Sequence, residues 1–328
     1  MQSLNVSLEN IPCCVGCEEN DRILFSAHDL LNDLPGDFNV VKCQTCGLMR
    51  TNPRPTQDSI GFYYPDNYGP YLGSVVNLDK QKKHNSFKQF LKPFVNQIFN
   101  FKGTVLPPLK PGNMLEIGCA SGSFLHHMAR KGWKVQGIEF SDKAAQMARK
   151  LGYKVHTGSL ENAPQPDEPF DLIVGWMVLE HLHNPIDSLK KLKEWASPEA
   201  WLALSIPNAG SFEFKIFKDK GYALQLPTHL YHFTPQTLEK ILLAGGWELE
   251  KIYHQRTLSN FIGSIGFVLR DKGYLKAGNW FIKFPERGGL MAYFLFPLAW
   301  MFSLIGQTGR MTVLARRCDR LDGFHKIT

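Results

Sequence analysis

The stretch 113–125 places a turn of small residues between a short apolar segment and a helical one. Residues 114–117 have the composition of a buried parallel strand, bounded by Gly112 and Gly118. With little side-chain bulk, the turn lets backbone N–H groups approach a ligand closely; its small residues include Gly118, Ala120, Ser121 and Gly122. The turn is therefore either a binding surface or a plain strand-to-helix connection, in which glycine is common.

A carboxylate stands about twenty residues beyond this turn, at the end of a predicted second strand, Lys134–Glu139. In nucleotide-binding α/β folds a carboxylate at this place accepts hydrogen bonds from ribose hydroxyls, so Glu139 is the predicted ribose ligand. Phe140 could cover one face of an adenine or could simply pack. A dinucleotide site requires G-x-G-x-x-G, whereas this turn is G-x-A-x-G, which argues against NAD.

Four of the seven cysteines form two C-x-x-C pairs, Cys14 with Cys17 and Cys43 with Cys46. The start of the sequence lacks the basic and apolar parts of a signal peptide, so a cytoplasmic chain without disulfides is expected. The spacing of the pairs predicts a structural zinc site of the Cys₄ ribbon type, in which Cys13 could replace Cys14. A redox role and a metal-free remnant are the alternatives. Residues 1–50 contain too few apolar residues to bury a core, so metal would supply much of their folding free energy.

From residue 111 onward, apolar strands alternate with helical stretches, which predicts a parallel sheet with helices on both faces. After the first two strands, further strands are predicted at 154–156, 170–175, 201–206, 248–253 and 311–316. The carboxyl ends of parallel strands meet at one rim of the sheet, where open α/β proteins bind ligands. Ser159 and Leu160 follow the third strand at this rim, where recognition of a base is expected.

The composition is that of an ordinary globular chain: 328 residues, 44% hydrophobic and 20% charged. It excludes a disordered or low-complexity protein. The net charge of +7 is spread along the sequence, which suits an anionic substrate, a membrane surface or nucleic acid equally well. Acidic residues predominate between Cys17 and Cys43, so this segment offers a poor phosphate surface, and no nucleic-acid partner is expected.

The order of motifs resembles that of class I S-adenosylmethionine-dependent methyltransferases, in particular the group with the ubiquinone-pathway O-methyltransferases and many sugar methyltransferases. The resemblance covers residues 111–255, and the segment 43–55 is similar to the zinc-ribbon leader of some of these enzymes. The motifs are LEIGCASG at 115–122, GIE at 137–139, FDLIV at 170–174, VLEH at 178–181, IPN at 206–208, HLYHFT at 229–234 and AGGW at 244–247.

This resemblance implies S-adenosylmethionine as cofactor and assigns nine residues to it. The methionine end falls on Glu116, Gly118, Ala120 and Gly122, the ribose on Glu139, the adenine near Phe140, Ser159 and Leu160, and the sulfonium beside Trp176. The sequence departs from the family pattern at Ala120, where a glycine is usual, and at Ser159, where an acidic residue is common.

Methyl transfer needs an aligned nucleophile and a base if that nucleophile carries a proton. A neutral imidazole can remove this proton, so His181, His229 and His232 are the candidate bases. Each of them could instead be a structural histidine. Some related O-methyltransferases hold a divalent cation near the Glu180–His181 pair. Met177 stands where a further acidic residue would be needed, which argues against a catalytic metal here.

The stretch 288–309 is uncharged and long enough to span a membrane. A single crossing is topologically excluded if residues 311–316 return to the sheet that contains 248–253, and Pro297 favours a kinked or two-piece helix. The stretch is thus expected to lie on a membrane surface, to form an apolar substrate wall, or to pack within the chain or in a homodimer. Flanking Lys and Arg residues fit an anionic membrane surface.

These predictions divide the chain into a zinc-ribbon-like leader (1–55), a helical linker or lid (56–110), a methyltransferase core (111–255), a hydrophobic helical insertion (256–309), and the last core strand with a tail (310–328). The predicted fold is α/β: a Rossmann-like, seven-stranded, mostly parallel sheet. The acceptor is expected to be a small molecule, a sugar or a lipid-linked compound, methylated on oxygen in the cytoplasm or at the inner membrane face. A non-catalytic scaffold is the alternative.

Overall fold

The computed structural model describes residues 6–65, 104–287 and 290–319. A seven-stranded sheet forms the centre of the fold, in the order β12-β13-β10-β9-β6-β7-β8. The strands are β6 (Asn113–Ile117), β7 (Lys134–Glu139), β8 (Lys154–Thr157), β9 (Phe170–Trp176), β10 (Ala196–Pro207), β12 (Trp247–His254) and β13 (Arg310–Arg317). Only β13 runs antiparallel to its neighbours, β10 and β12. The predicted fold class is confirmed.

Both faces of this sheet are buried, because successive residues of its strands enter two different hydrophobic clusters. Leu115 and Ile173 pack into one cluster, while Met114 and Leu172 pack into the other. This explains why a central strand such as β9 (Phe170–Trp176) is a nearly continuous apolar run. Helices α1 (Ser123–Ala129), α2 (Asp142–Lys150), α3 (Pro185–Glu194), α4 (Phe212–Phe217) and α5 (Pro235–Ala244) connect the strands.

Short polar signals set the starts of two of these helices. The side chain of Ser141 accepts a hydrogen bond from the backbone N–H of Ala144 and caps α2. Thr234 and Thr237 form a reciprocal capping box at α5, with Pro235 at the first helical position. The N-terminus of α5 is therefore well defined.

The leader forms strands β1 (Leu8–Glu9), β2 (Asp21–His28), β3 (Asp37–Cys43), β4 (Met49–Thr51) and β5 (Arg54–Pro55). Its sheet has the order β11-β4-β3-β2, and β11 (Tyr231–His232) comes from the loop between α4 and α5. Thr51 adds to this junction, since its backbone N–H donates to Leu230 O and its hydroxyl donates to His229 O. The leader is thus joined to the histidine-bearing loop by main-chain hydrogen bonds.

Five helices fill the segment before the last strand: α6 (Ser259–Asp271), α7 (Leu275–Ile282), α8 (Phe284–Arg287), α9 (Leu290–Phe294) and α10 (Phe296–Leu304). Pro297 lies in the first turn of α10, so the apolar stretch is divided into short helices, as predicted. Within the described ranges, no helix is both long enough and apolar enough to cross a membrane. Residues 66–103, most of the predicted helical linker or lid, lie outside the described residues.

Candidate functional site

A cavity of about 420 Å³ opens at the carboxyl ends of β6, β7 and β9. The turn after β6 forms one wall, and the residues that follow β7, β8 and β9 form the others. Seven of the nine residues predicted to hold a cofactor line it: Gly118, Ala120, Glu139, Phe140, Ser159, Leu160 and Trp176. The rim predicted from the strand pattern is therefore a real concave site.

The turn after β6 has a backbone that larger residues would disturb. Gly118 has a φ of 66°, and a Cβ atom on it would lie 2.7 Å from Val178 Cγ2. Ala120 also has a positive φ, 45°, although it carries a side chain. Its backbone N–H donates to the Glu139 carboxylate at 2.8 Å. Backbone, rather than side chains, thus forms this wall of the cavity.

Glu139 is held at the end of β7 by backbone donors. One carboxylate oxygen accepts from Ala120 N and the other from Ser141 N, each at 2.8 Å. Burial raises the pKa of Glu139, while these N–H groups act in the opposite direction. A fixed carboxylate at a strand end can accept further hydrogen bonds from a vicinal diol such as ribose.

Buried polar atoms in this cavity have no partner among the described residues. They are Ser159 Oγ, Trp176 Nε1 and Arg310 Nε. Buried polar groups are nearly always hydrogen-bonded, so atoms of this kind mark where a polar ligand would sit. Together with Glu139 and the close backbone approach at Gly118, they fit an adenosine-containing molecule such as S-adenosylmethionine.

Two predicted cofactor residues do not line the cavity. Gly122 begins α1 with a φ of 80°, and a Cβ there would lie 2.9 Å from Ala148 Cβ. This glycine therefore allows α1 and α2 to pack closely. Glu116 lies beneath the turn, with its Oε2 unpartnered among the described residues. Burial, together with the charge of Glu139, raises its pKa well above the ordinary value.

His181 and His229 meet at the cavity wall, with ring centroids 4.6 Å apart. Nδ1 of His181 lies 2.8 Å from Thr228 O, and Nδ1 of His229 lies 2.9 Å from Ala223 O. Because a carbonyl only accepts, we assign the proton to Nδ1 in both rings, which leaves each Nε2 as an acceptor. Burial lowers the pKa of His181 to about 4 and that of His229 well below its usual value, so both are neutral near pH 7.

His232, the third predicted candidate base, is separated from this pair. It belongs to β11, does not line the cavity, and its Nε2 lies 3.3 Å from Thr51 Oγ1. Burial lowers its pKa to about 3. Its position at the junction with the leader indicates a structural role.

Glu180 is fully buried beside the two imidazoles, and neither carboxylate oxygen has a partner among the described residues. Burial raises its pKa to about 8. Donor atoms of Glu180, His181 and His229 all lie within 4.8 Å of one another. The sequence argued against a metal because of Met177, but the fold brings His229 to the place as a third donor. Two imidazoles and a carboxylate suit a transition-metal dication better than Mg²⁺.

Several residues of the cavity were not predicted as site residues, among them Tyr64, Gln225 and Arg310. The Tyr64 hydroxyl lies 2.9 Å from His181 Nδ1. In the sequence, Tyr64 is one of three consecutive aromatic residues, and Arg310 follows the uncharged stretch 288–309. Neither sequence pattern indicates that these residues reach the rim.

The thiol cluster in the leader consists of Cys13, Cys17, Cys43 and Cys46, whose sulfur atoms lie within 4.8 Å of one another. This corrects the predicted set at Cys14: Cys13 Sγ lies 3.4 Å from Cys46 Sγ, whereas the Cys14 thiol interacts with the Tyr231 hydroxyl. Tetrahedral zinc with Zn–S bonds of about 2.3 Å places its sulfurs about 3.8 Å apart. The four thiols therefore fit a Cys₄ zinc site.

A family model described as "Methyltransferase domain" matches residues 85–252. A ubiquinone biosynthesis O-methyltransferase of Nitrosospira multiformis is 26% identical over 154 residues, which cover 43% of this chain and 64% of the relative. The mitochondrial enzyme of the same name from Schizosaccharomyces pombe is 28% identical over 169 residues, covering 48% of this chain and 56% of the relative. The chain thus spans less than two thirds of the length of these relatives.

Among solved structures, magnesium protoporphyrin IX methyltransferase of Synechocystis with bound SAH is 14% identical, with a TM-score of 0.45, and the match covers 80% of this chain and 100% of that one. An S-adenosylmethionine-dependent methyltransferase of Mesorhizobium loti is also 14% identical, with a TM-score of 0.44 and coverage of 69% and 97%.

Proposed function

Because the chain belongs to the methyltransferase domain family, as its motifs suggested, we propose that it transfers a methyl group from S-adenosylmethionine to a small-molecule acceptor. One observation carries the proposal: the cavity that joins the Gly118–Ala120 turn and Glu139 is also lined by His181 and His229, two imidazoles that are neutral near pH 7. In this proposal the cofactor and the base occupy the same cavity.

In this proposal each part of the cofactor is contacted by different residues. Glu139 accepts from the ribose hydroxyls, while Phe140, Ser159 and Leu160 surround the adenine. Backbone at Gly118 and Ala120 holds the methionine end, and Trp176 borders the sulfonium. Glu116 supports the turn from below, and Gly122 keeps α1 close to α2.

The sulfonium cofactor supplies an already activated methyl group, so this chain has to align the acceptor and remove its proton. His181 or His229 takes that proton at Nε2, and the backbone carbonyl on Nδ1 holds the ring in the required tautomer. A hydroxyl acceptor is the best fit, because relatives of the chain are named as O-methyltransferases and an imidazole base serves a phenol or enol.

The proposal extends to the other parts of the chain. The four-cysteine cluster holds a structural zinc that stabilises the leader. The acceptor is a phenol, a sugar or a lipid-linked compound, and the helices of 256–309 contact a membrane surface or a second copy of the chain. The protein then works in the cytoplasm, at or near the inner membrane face.

Calorimetry with S-adenosylmethionine tests the cofactor part directly. We expect one site per chain, with an affinity that Glu139→Ala weakens on the order of a hundredfold, because the carboxylate makes charge-assisted hydrogen bonds. Glu168→Ala is the matched control, since Glu168 is exposed and does not line the cavity. A folded protein that binds no cofactor would instead support the scaffold alternative.

Turnover tests the base. With labelled cofactor and pools of small molecules, sugars and lipids, a methylated product is expected by mass spectrometry. His181→Gln or His229→Gln should lower its rate by about a hundredfold or more while cofactor affinity stays within about twofold. Folded His232→Gln should keep its rate. Unchanged turnover in both cavity variants would refute a histidine base.

A further inference from the structure

A second cavity, of about 800 Å³, lies between the leader sheet and the far part of the same rim. Strands β2, β3 and β4 form one side, and the residues after β10 and before β13 form the other. No described residue lines both this cavity and the one that contains Glu139. It is therefore a separate site, to which nothing in the proposed methyl transfer assigns a ligand.

The lining of this cavity has an unbalanced charge. Four cations line it, Arg22, Lys42, Lys215 and Lys218, and no Asp or Glu occurs among its described lining residues. In the described part of the chain none of the four forms an ion pair with a carboxylate. An anion would neutralise charges that the chain itself leaves unbalanced.

The register of the β2–β3 pair makes the grouping of these cations unfavourable when no anion is bound. Arg22 lies directly opposite Lys42 in the β2–β3 pair. Like charges at opposed positions of neighbouring strands destabilise a sheet. Lys218 adds a backbone feature, because it has a positive φ of 47° at the end of α4. The chain thus keeps these cations together at a cost in stability.

Neutral groups of the cavity also suit an anion. The first turn of the ten-residue helix α5 lines it through Thr234, Pro235 and Gln236, so the positive end of that helix faces the space. Two buried polar atoms of the lining, His254 Nδ1 and Gln307 Oε1, have no partner among the described residues. Such atoms indicate that a polar ligand completes the site.

We propose that this cavity, lined by Arg22, Lys42, Lys215 and Lys218, binds the phosphate group or groups of a phosphorylated ligand. Several cations and a helix N-terminus around one concave space match the multiple charges of a phosphoryl or diphosphoryl group. The group belongs either to a lipid headgroup or to a soluble phosphorylated molecule. Ile305, which follows the apolar helix α10 and is 58% exposed, also lines the cavity and connects it to an apolar surface.

The test uses two charge-matched double variants of the full chain. Arg22→Gln/Lys42→Gln and Lys215→Gln/Lys218→Gln each remove two cavity cations, whereas Lys131→Gln/Lys150→Gln removes two exposed lysines elsewhere. One arm titrates inorganic pyrophosphate by calorimetry at constant ionic strength. The other floats the protein with phosphatidylcholine vesicles that contain or lack phosphatidic acid.

We expect wild type to bind in at least one arm, and each cavity variant to lose on the order of tenfold or more in that arm, while the control variant binds as wild type does. Loss in the calorimetric arm alone assigns a soluble ligand, and loss in the vesicle arm alone assigns a lipid headgroup. Wild type that binds in neither arm, or equal losses in all three variants, would overturn the proposal.

Folding of the variants is checked without ligand. Arg22→Gln/Lys42→Gln removes a repulsive cross-strand pair, so its melting temperature in chloride should equal or exceed that of wild type. Pyrophosphate should raise the melting temperature of wild type but not that of this variant. Both variants should still bind S-adenosylmethionine as wild type does, which separates failure of this site from failure of the methyltransferase assignment.

Discussion

At the scale of single residues, backbone strain is concentrated around the cofactor cavity. Five non-glycine residues have a positive φ in the described structure, and three of them line this cavity: Ala120, Met177 and Gln225. L-residues enter this region of backbone space at a cost of roughly 1–2 kcal/mol each. Strain of this kind persists where the surrounding structure enforces it, which occurs often at ligand sites.

Ala120→Gly should therefore stabilise the protein, although glycine usually does the reverse. Relief of the positive φ gains about 1–2 kcal/mol, and the greater freedom of the unfolded chain costs about 0.5–1 kcal/mol. We expect a net gain of about 0.5–1 kcal/mol in denaturant unfolding. Ala277→Gly, at an exposed position of α7, is the control and should lose about 0.5–1 kcal/mol. Equal losses in both variants would show that the Ala120 backbone is unstrained.

Glu180 gives a pH-dependent prediction for metal-free protein kept in chelator. Its pKa is raised to about 8 in the fold, against an ordinary value of 4.5. Between these values the folded state keeps a proton that the unfolded state has lost, so stability falls as pH rises through this window. Relative to Glu180→Gln, which does not titrate, wild type should lose up to about 1.4 kcal/mol per pH unit between pH 6 and 8.

The measurement is denaturant unfolding of both proteins at several pH values. Parallel stability curves would mean that the carboxyl is already ionised at pH 6. Adding Zn²⁺ or Mn²⁺ at pH 7 should stabilise wild type more than the variant if the three donors of Glu180, His181 and His229 bind a cation.

At the scale of elements, the four-cysteine cluster brings the segment between β1 and β2 together with the end of β3 and the turn before β4. Cys13→Ser should abolish stoichiometric zinc and lower the melting temperature, because a structural metal contributes folding free energy directly. Cys14→Ser is the neighbouring control and should retain zinc, since its thiol interacts with Tyr231 and does not join the cluster. Metal analysis of both proteins shows which cysteine is the zinc ligand. Zinc lost only from Cys14→Ser would identify Cys14, and not Cys13, as the ligand.

The pattern of the sequence predicted the strands of the main sheet well, because they alternate with helical stretches and because β6 and β9 are mainly apolar runs flanked by glycine or proline. Lys134–Glu139 was predicted with its observed bounds. Contacts between distant segments could not be predicted in this way. Nothing local indicates that β11 joins a leader strand, that His229 reaches Glu180, or that Cys13 takes the place of Cys14. Such contacts depend on how whole elements pack.

At the scale of the whole molecule, apolar surface is concentrated on the helices before β13. Phe294 is 84% exposed and Leu304 is 65% exposed. Exposed apolar side chains grouped in this way mark a contact surface. On a protein with a net charge of +7, this surface suits an anionic bilayer.

Flotation with vesicles of phosphatidylcholine and phosphatidylglycerol tests whether this surface binds a bilayer. Phe294→Gln/Leu304→Gln should reduce the floated fraction severalfold, because each side chain contributes apolar area to the bilayer boundary. Leu243→Gln, at an exposed position of α5, should float as wild type does. Wild-type protein that stays at the bottom of the gradient would show that these helices pack against protein instead.

The pairing of Tyr231 in β11 with Arg50 in β4 has a consequence for folding during synthesis, because the two strands are far apart in the sequence. The leader emerges first, but the strand that completes its sheet is made only after most of the main sheet has been synthesised. Until then the edge of β4 is unpaired and can pair with another nascent chain. A stalled or truncated product that ends before residue 231 should therefore aggregate through its leader. A coexpressed chaperone that binds unfolded chains should raise the soluble yield, because it protects the leader until β11 has been synthesised.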